Sequence, residues 1–122
     1  MRILLVDDHA EIRRALGALL SASIAGASIG EAGAATDAMA AVGTGSWDLV
    51  LLDLSLPDRN GIEALRELRR LHPALPVLVM SFHAESEYAA AVRAEGAAGY
   101  VAKGSAPAVI VEAVRAALPR AQ

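Results

Sequence analysis

The sequence predicts an open, doubly wound α/β fold, in which five parallel strands run in the order 2-1-3-4-5 and five helices cover both faces of the sheet. Three observations carry that prediction. Short apolar runs alternate with longer stretches of helical pattern along the whole chain. The strongest runs, ILLV, LVLL and VLVM, are continuous rather than alternating, as befits strands covered on both faces. Strand and helix follow one another five times, too few for a closed eightfold barrel, and right-handed crossovers then leave an open sheet.

The elements follow in order. The first strand is expected over residues 2–7. Ile12, Leu16, Leu19 and Leu20 then fall at i, i+4, i+7 and i+8, one face of a helix. A weaker strand lies near 27–31, and a weakly marked helix covers 34–42. The third strand is 48–53. Asn60 is placed to cap the next helix, with Ile62, Leu65 and Leu68 inward and Arg66, Glu67, Arg69 and Arg70 outward, until Pro73 ends it. The fourth strand, 76–81, leads to a helix over 85–95 that closes at Gly96, a residue suited to a left-handed terminus. That helix is rich in alanine (Ala89, Ala90, Ala91, Ala94), and low buried area suits an element that moves. The last strand is 98–102. Ser105 is expected to cap the last helix, which carries Ile110, Val111, Val114 and Leu118 inward and stops at Pro119. Arg13, Arg14, Arg69 and Arg70 read as solvated helix faces.

Composition narrows the function classes. The chain has 122 residues, enough for one domain, 1–122, that buries roughly two-thirds of its unfolded surface. Its apolar fraction is 55%, raised mainly by alanine. No apolar run approaches the ~20 residues of a membrane span. The apolar start is too short for a signal peptide and is broken by Asp7 and Asp8, so a cytoplasmic protein with no membrane contact is expected. With no cysteine, disulfides, thiolate nucleophiles and cysteine metal sites are excluded. A net charge of −3 lacks the basic surface that duplex DNA needs, so any DNA contact would fall to another segment.

The polar residues fall at strand carboxyl ends. The first strand ends in Asp7-Asp8, the third in Asp53 and the fourth in Ser81, and the fifth leads into Lys103. In an open parallel sheet ligands bind beyond these ends, at the switch between strands one and three. Singly, such residues are ordinary: an acid there caps a helix, a serine forms a turn, a lysine is solvated. Together, three carboxylates on one rim repel one another and call for a cation or shifted ionisation. A hard divalent ion, Mg²⁺ or Mn²⁺, accepts oxygen ligands and leaves room for phosphate oxygens. Lys103 adds positive charge and Ser81 a hydroxyl donor, a set fitted to stabilise a transferring phosphoryl group.

At these residues the chain resembles the receiver domains of bacterial two-component response regulators, which share the flavodoxin-like fold. The matching pieces are ILLVDDH at Ile3–His9, LVLLDLSLPDRNGIEAL at Leu49–Leu65, VLVMSFH at Val77–His83 and GAAGYVAK at Gly96–Lys103. The VDDH and GYVAK forms look most like the subfamily that usually carries a C-terminal helix-turn-helix DNA-binding domain. The resemblance implies that Asp53 is the phosphoacceptor. It implies that Asp7, Asp8, Asp53 and the backbone carbonyl of Ser55 hold the metal, with Asp8 a more direct ligand than Asp7. It makes Ser81 the switch hydroxyl, Tyr100 the switch aromatic that turns inward, and Lys103 the partner of the phosphoryl group. The donor would be a sensor histidine kinase or a phosphotransfer protein, and the first helix, near Arg13 and Arg14, its docking surface. The output would be the surface of the fourth helix, fifth strand and fifth helix, with a homodimer on phosphorylation as one outcome. Any catalysis is limited to self-phosphorylation and self-dephosphorylation, so the domain is not an enzyme toward outside substrates.

The chain departs from the family pattern at two places. Gly104 stands where the family commonly has proline after a cis bond, which without proline costs ~2.5–4 kcal/mol, so either that strain is carried or the loop differs. Phe82 stands where a smaller residue is usual, and its ring either narrows access to Asp53 or packs outward on the fourth helix. His83 either flanks the path of an attacking water or is a solvated loop residue, and His9 reads as positional. Three rivals weigh less. A phosphatase or phosphotransferase usually has a second carboxylate two residues after its nucleophile, where this chain has Ser55. A flavin module needs a Gly/Ser/Thr-rich phosphate loop, where Asp7-Asp8-His9-Ala10-Glu11 would repel phosphate. A degenerate receiver, acting as an interaction domain without phosphorylation, sits poorly with a complete set of acids and Lys103.

Overall fold

In the computed structural model, residues 1–82 and 85–119 are described, the side chains of 85–88 apart. The order is β1 (Arg2–Val6), α1 (Ala10–Ser23), β2 (Ser28–Ala32), α2 (Ala35–Thr44), β3 (Leu49–Asp53), α3 (Gly61–Leu71), β4 (Val77–Ser81), α4 (Glu85–Ala94), β5 (Gly99–Ala102) and α5 (Pro107–Ala117). All neighbouring strands are parallel, and the sheet order is β2-β1-β3-β4-β5, as the alternation of patterns required.

The continuous apolar runs are explained by burial on both faces. Every residue of β3 and of β4 is buried. Because side chains alternate across a strand, Ile3, Leu5, Leu49, Leu51, Leu78 and Met80 point to one face, where Leu16, Leu20, Ile110, Val111 and Val114 of α1 and α5 meet them. Leu4, Val6, Val50, Leu52, Val77 and Val79 point to the other, against α2, α3 and α4 through Ala35, Ala38, Leu65, Leu68 and Val92. The edge strand β2 has only one fully buried residue, which is why its sequence signal was faint and its bounds shifted by one.

Local chemistry sets the helix ends. Asn60 caps α3 by accepting from the Ile62 N–H at 2.8 Å, and the helix stops at Leu71, two residues before Pro73. Gly96 takes φ +93° after α4, the left-handed terminus expected of it. Ser105 does not cap α5. That helix begins at Pro107, so the N-cap position falls on Ala106, one residue after Ser105, and there is no side-chain cap; proline suits the first helical position. No cis peptide bond occurs among the described residues, so the Lys103–Gly104 bond is trans and the loop departs from the cis form. Gly61 is required where it stands: a Cβ there would lie 2.4 Å from Leu54 Cα. That contact folds the loop after β3 back on itself just beyond Asp53.

Candidate functional site

Register brings the acids together. Val6 pairs with Leu52 across β1 and β3, so the next residues, Asp7 and Asp53, emerge side by side at the carboxyl end of the sheet. Ser81 pairs with Ala102, and the Lys103 N–H donates to the Ser81 carbonyl at 2.9 Å, which carries the lysine back over the same end. Its ammonium lies 2.5 Å from Asp7 Oδ2 and 3.0 Å from Asp53 Oδ2. The side chains of Asp7, Asp53 and Lys103 are 6%, 3% and 2% exposed, so two carboxylates share one ammonium away from solvent. Asp8, beside them, is partly open.

Such a cluster is not balanced by its own charges. The Ser55 N–H donates to Asp53 Oδ1 at 3.1 Å and orients the carboxylate. Asp53 Oδ2 and Lys103 Nζ are both buried, in ionic contact, yet neither completes a directed hydrogen bond. An acceptor in that condition is costly in a native structure unless something else engages it. Burial pushes the Asp7 carboxyl up, but the Lys103 ammonium and the His9 backbone N–H more than reverse this and hold it below the ordinary carboxylate value. Donor atoms of Asp7, Asp8, His9 and Asp53 all lie within 4.8 Å of one another. An oxygen-rich pocket in which one ammonium serves two buried carboxylates fits a hard divalent cation.

The site residues read from the sequence can be located, His83 apart. Asp7, Asp8, Asp53, Ser55 and Lys103 converge. Ser81 is 0% exposed, enclosed at the end of β4 rather than open on the rim. Tyr100 is already inward, 7% exposed, in the core on the α4 side of the sheet. Phe82 is 67% exposed, and its ring faces Lys103 instead of being buried against α4. His83 lies outside the described residues. Arg13 is not a solvated face: its side chain is 17% exposed and its guanidinium binds the Asp7 carbonyl and Glu31. Arg69 likewise donates to the Leu75 carbonyl.

His9 has the positional place read for it, and one contributor, Asp58, escaped the sequence reading. His9 precedes α1, and its Nδ1 lies 3.0 Å from both Asp7 Oδ1 and Asp8 Oδ1. Asp58, in the loop after β3, accepts from the Ala35 N–H at 2.9 Å, the Thr36 N–H at 3.0 Å and the Thr36 hydroxyl at 2.8 Å. It caps α2 from across the fold. These three donors hold its carboxyl down at about 2. The signal was present: Ala34, before α2, has no side-chain acceptor, so the first N–H groups of that helix must be satisfied from elsewhere.

Known proteins resemble this chain in sequence and in fold. The transcriptional activator protein ExaE of Pseudomonas putida is 41% identical over 118 residues, 97% of this chain and 55% of that protein. The response regulator UvrY of Escherichia coli K12 is 36% identical over 115 residues, 94% of this chain and 53% of that one. The chain therefore spans about half the length of the curated relatives it matches. The crystal structure of a LuxR-family two-component response regulator from Aurantimonas superposes with a TM-score of 0.88 at 37% identity, covering 94% of this chain and 82% of that one. Residues 3–115 match the response regulator receiver domain, and with relatives of that kind, the chain belongs to the response regulator receiver domain family.

Proposed function

We propose that this receiver domain works by reversible phosphorylation of Asp53. The observation that carries the reading is the buried Asp53 Oδ2, held beside Lys103 without a directed hydrogen bond. It is a buried carboxylate oxygen whose counter-charge is an ammonium that Asp7 also holds.

Asp8, Asp53 and the Ser55 carbonyl, with Asp7 beside them, would hold Mg²⁺ or Mn²⁺. A bound cation supplies positive charge that offsets the oxygens of the transferring group and of the acids. The rest of the chemistry belongs to the chain. The Ser55 N–H fixes the plane of the Asp53 carboxylate, and a carboxylate oxygen attacks phosphorus in line as the donor's phosphorus–nitrogen bond breaks. Lys103 neutralises the loose transition state. The product brings roughly two negative charges into the rim. Lys103 then leaves Asp7 for the phosphoryl oxygens, and the Ser81 hydroxyl donates to them. Because Lys103 and Ser81 are joined through the β5–β4 backbone contact, this movement bears on α4, β5 and α5, the proposed output surface. Two packings of that surface within a few kcal/mol of one another suffice for a switch. Tyr100 packs inside it.

The donor is a sensor histidine kinase or phosphotransfer protein docking over the rim and α1, in the cytoplasm. Phosphorylation would favour a homodimer. Any contact with DNA would fall to a segment outside this domain, as the transcription-activator name of ExaE and the acidic charge of this chain both suggest. The domain modifies itself and turns over no outside substrate.

The test is intact mass after incubation with acetyl phosphate or phosphoramidate and Mg²⁺. One phosphate adduct is expected, absent without metal. No adduct from these donors or from a kinase would favour a receiver that acts only by interaction, and steady hydrolysis of an outside phosphate ester would favour an enzyme.

A further inference from the structure

Phe82 follows the last residue of β4 and plays no part in the chemistry above. It is 67% exposed, more than any other large apolar side chain among the described residues. Yet the ring is not idle, because Lys103 Nζ lies 5.1 Å from its centre. At that distance the negative face of an aromatic ring attracts an ammonium. The same ammonium touches Asp7 Oδ2 and Asp53 Oδ2, and the lysine side chain is only 2% exposed. A ring largely open to solvent, set against an ammonium almost closed to it, is a cover.

We infer that Phe82 is a positioning residue that sets the lifetime of the phosphorylated state, its ring holding the Lys103 ammonium in the site and narrowing the approach of water. The inference rests on Asp53 being the phosphoacceptor. Loss of the phosphoryl group requires a water oxygen to bond to phosphorus while the bond from phosphorus to the Asp53 oxygen breaks. Inorganic phosphate and a proton leave, and the carboxylate is restored. The water comes from solvent over the rim, beside Lys103, where the ring stands. An ammonium held in place by the ring also fills the space beside the phosphoryl group through which water would otherwise enter.

The test loads the full chain from acetyl phosphate and Mg²⁺, removes the donor, and follows loss of the adduct by intact mass. Phe82→Ala is expected to lose phosphate about threefold faster or more, the size of a weak ammonium–ring attraction expressed as a rate, and to load faster. Phe82→Tyr, which keeps ring and bulk, decays at the wild-type rate. Phe82→Leu, which keeps bulk without the ring's charge distribution, falls between. Thermal midpoints of all three stay close to wild type, because the side chain is exposed. Equal decay of Phe82→Ala and wild type overturns the inference while leaving Asp53 phosphorylation intact. Leucine at the wild-type rate overturns the role of the ring in holding Lys103. A wild-type chain that takes up no phosphate overturns the reading of Asp53 itself, and this inference with it.

Discussion

The two ends of the sheet are built on opposite principles. At the amino end, polar groups are paired. Arg2 donates to the Ser46 carbonyl at 3.0 Å, its backbone N–H meets Asp48 Oδ2 at 2.7 Å, and its guanidinium sits 4.3 Å from the centre of the Trp47 ring. The Trp47 N–H is in turn satisfied by the Ala41 carbonyl at 3.0 Å. At the carboxyl end, two buried carboxylates share one ammonium, and both Asp53 Oδ2 and Lys103 Nζ lack a directed hydrogen bond. The first arrangement closes the fold. The second keeps interaction energy available for something that arrives. Sequences that satisfy local rules everywhere except at one place mark that place as functional.

If that contrast is right, substitutions at the two ends separate activity from stability. The largest effect belongs to Asp53→Asn, which should abolish the phosphate adduct in an intact-mass assay while the chain remains folded by circular dichroism. Lys103→Ala leaves Asp7 and Asp53 buried without their counter-charge. It should lower stability by about 3 kcal/mol in urea unfolding at neutral pH, and Mg²⁺ should recover part of that loss. At the other end, Trp47→Ala removes a half-buried ring and its contact with Arg2, for roughly 2 kcal/mol of stability, yet it should leave the extent of phosphate loading unchanged. A Trp47 variant that folds but fails to load would break the division between the ends.

The smallest effect concerns Asp58 and depends on pH. Its carboxyl is lowered from an ordinary 3.8 to about 2 by the Thr36 and Ala35 donors. A depressed carboxyl stabilises the fold above its unfolded value and loses that contribution as pH falls through its folded value. The gap in thermal midpoint between wild type and Asp58→Ala should therefore be full above pH ~4 and close toward pH ~2. A gap that does not change with pH would mean that the carboxylate is not the cap.

What was legible in the sequence divides along physical lines. The sheet order and both cores could be read because β3 and β4 are buried on each face, and nothing but long apolar runs can fill such positions. The acids and Lys103 could be read because they sit at strand ends, where topology alone brings them to one rim. Contacts between distant loops were not legible. Asp58 reaches α2 across 22 residues, and Arg13 reaches the Asp7 carbonyl and Glu31, through side-chain directions that no periodicity records. Ser105 was misread because a serine before a helix usually caps it, and here the helix starts one residue later, with Ala106 at the cap position and Pro107 in its first turn.

Binding of Mn²⁺ followed by amide NMR tests the central claim most directly. Paramagnetic broadening should strike Asp8, Asp53 and Ser55 first and leave Arg2, Trp47 and Asp48 sharp, and Mg²⁺ should reverse it. Broadening spread evenly over exposed acids such as Glu11, Glu63 and Glu112, or no broadening at millimolar Mn²⁺, would contradict a rim built to receive a cation.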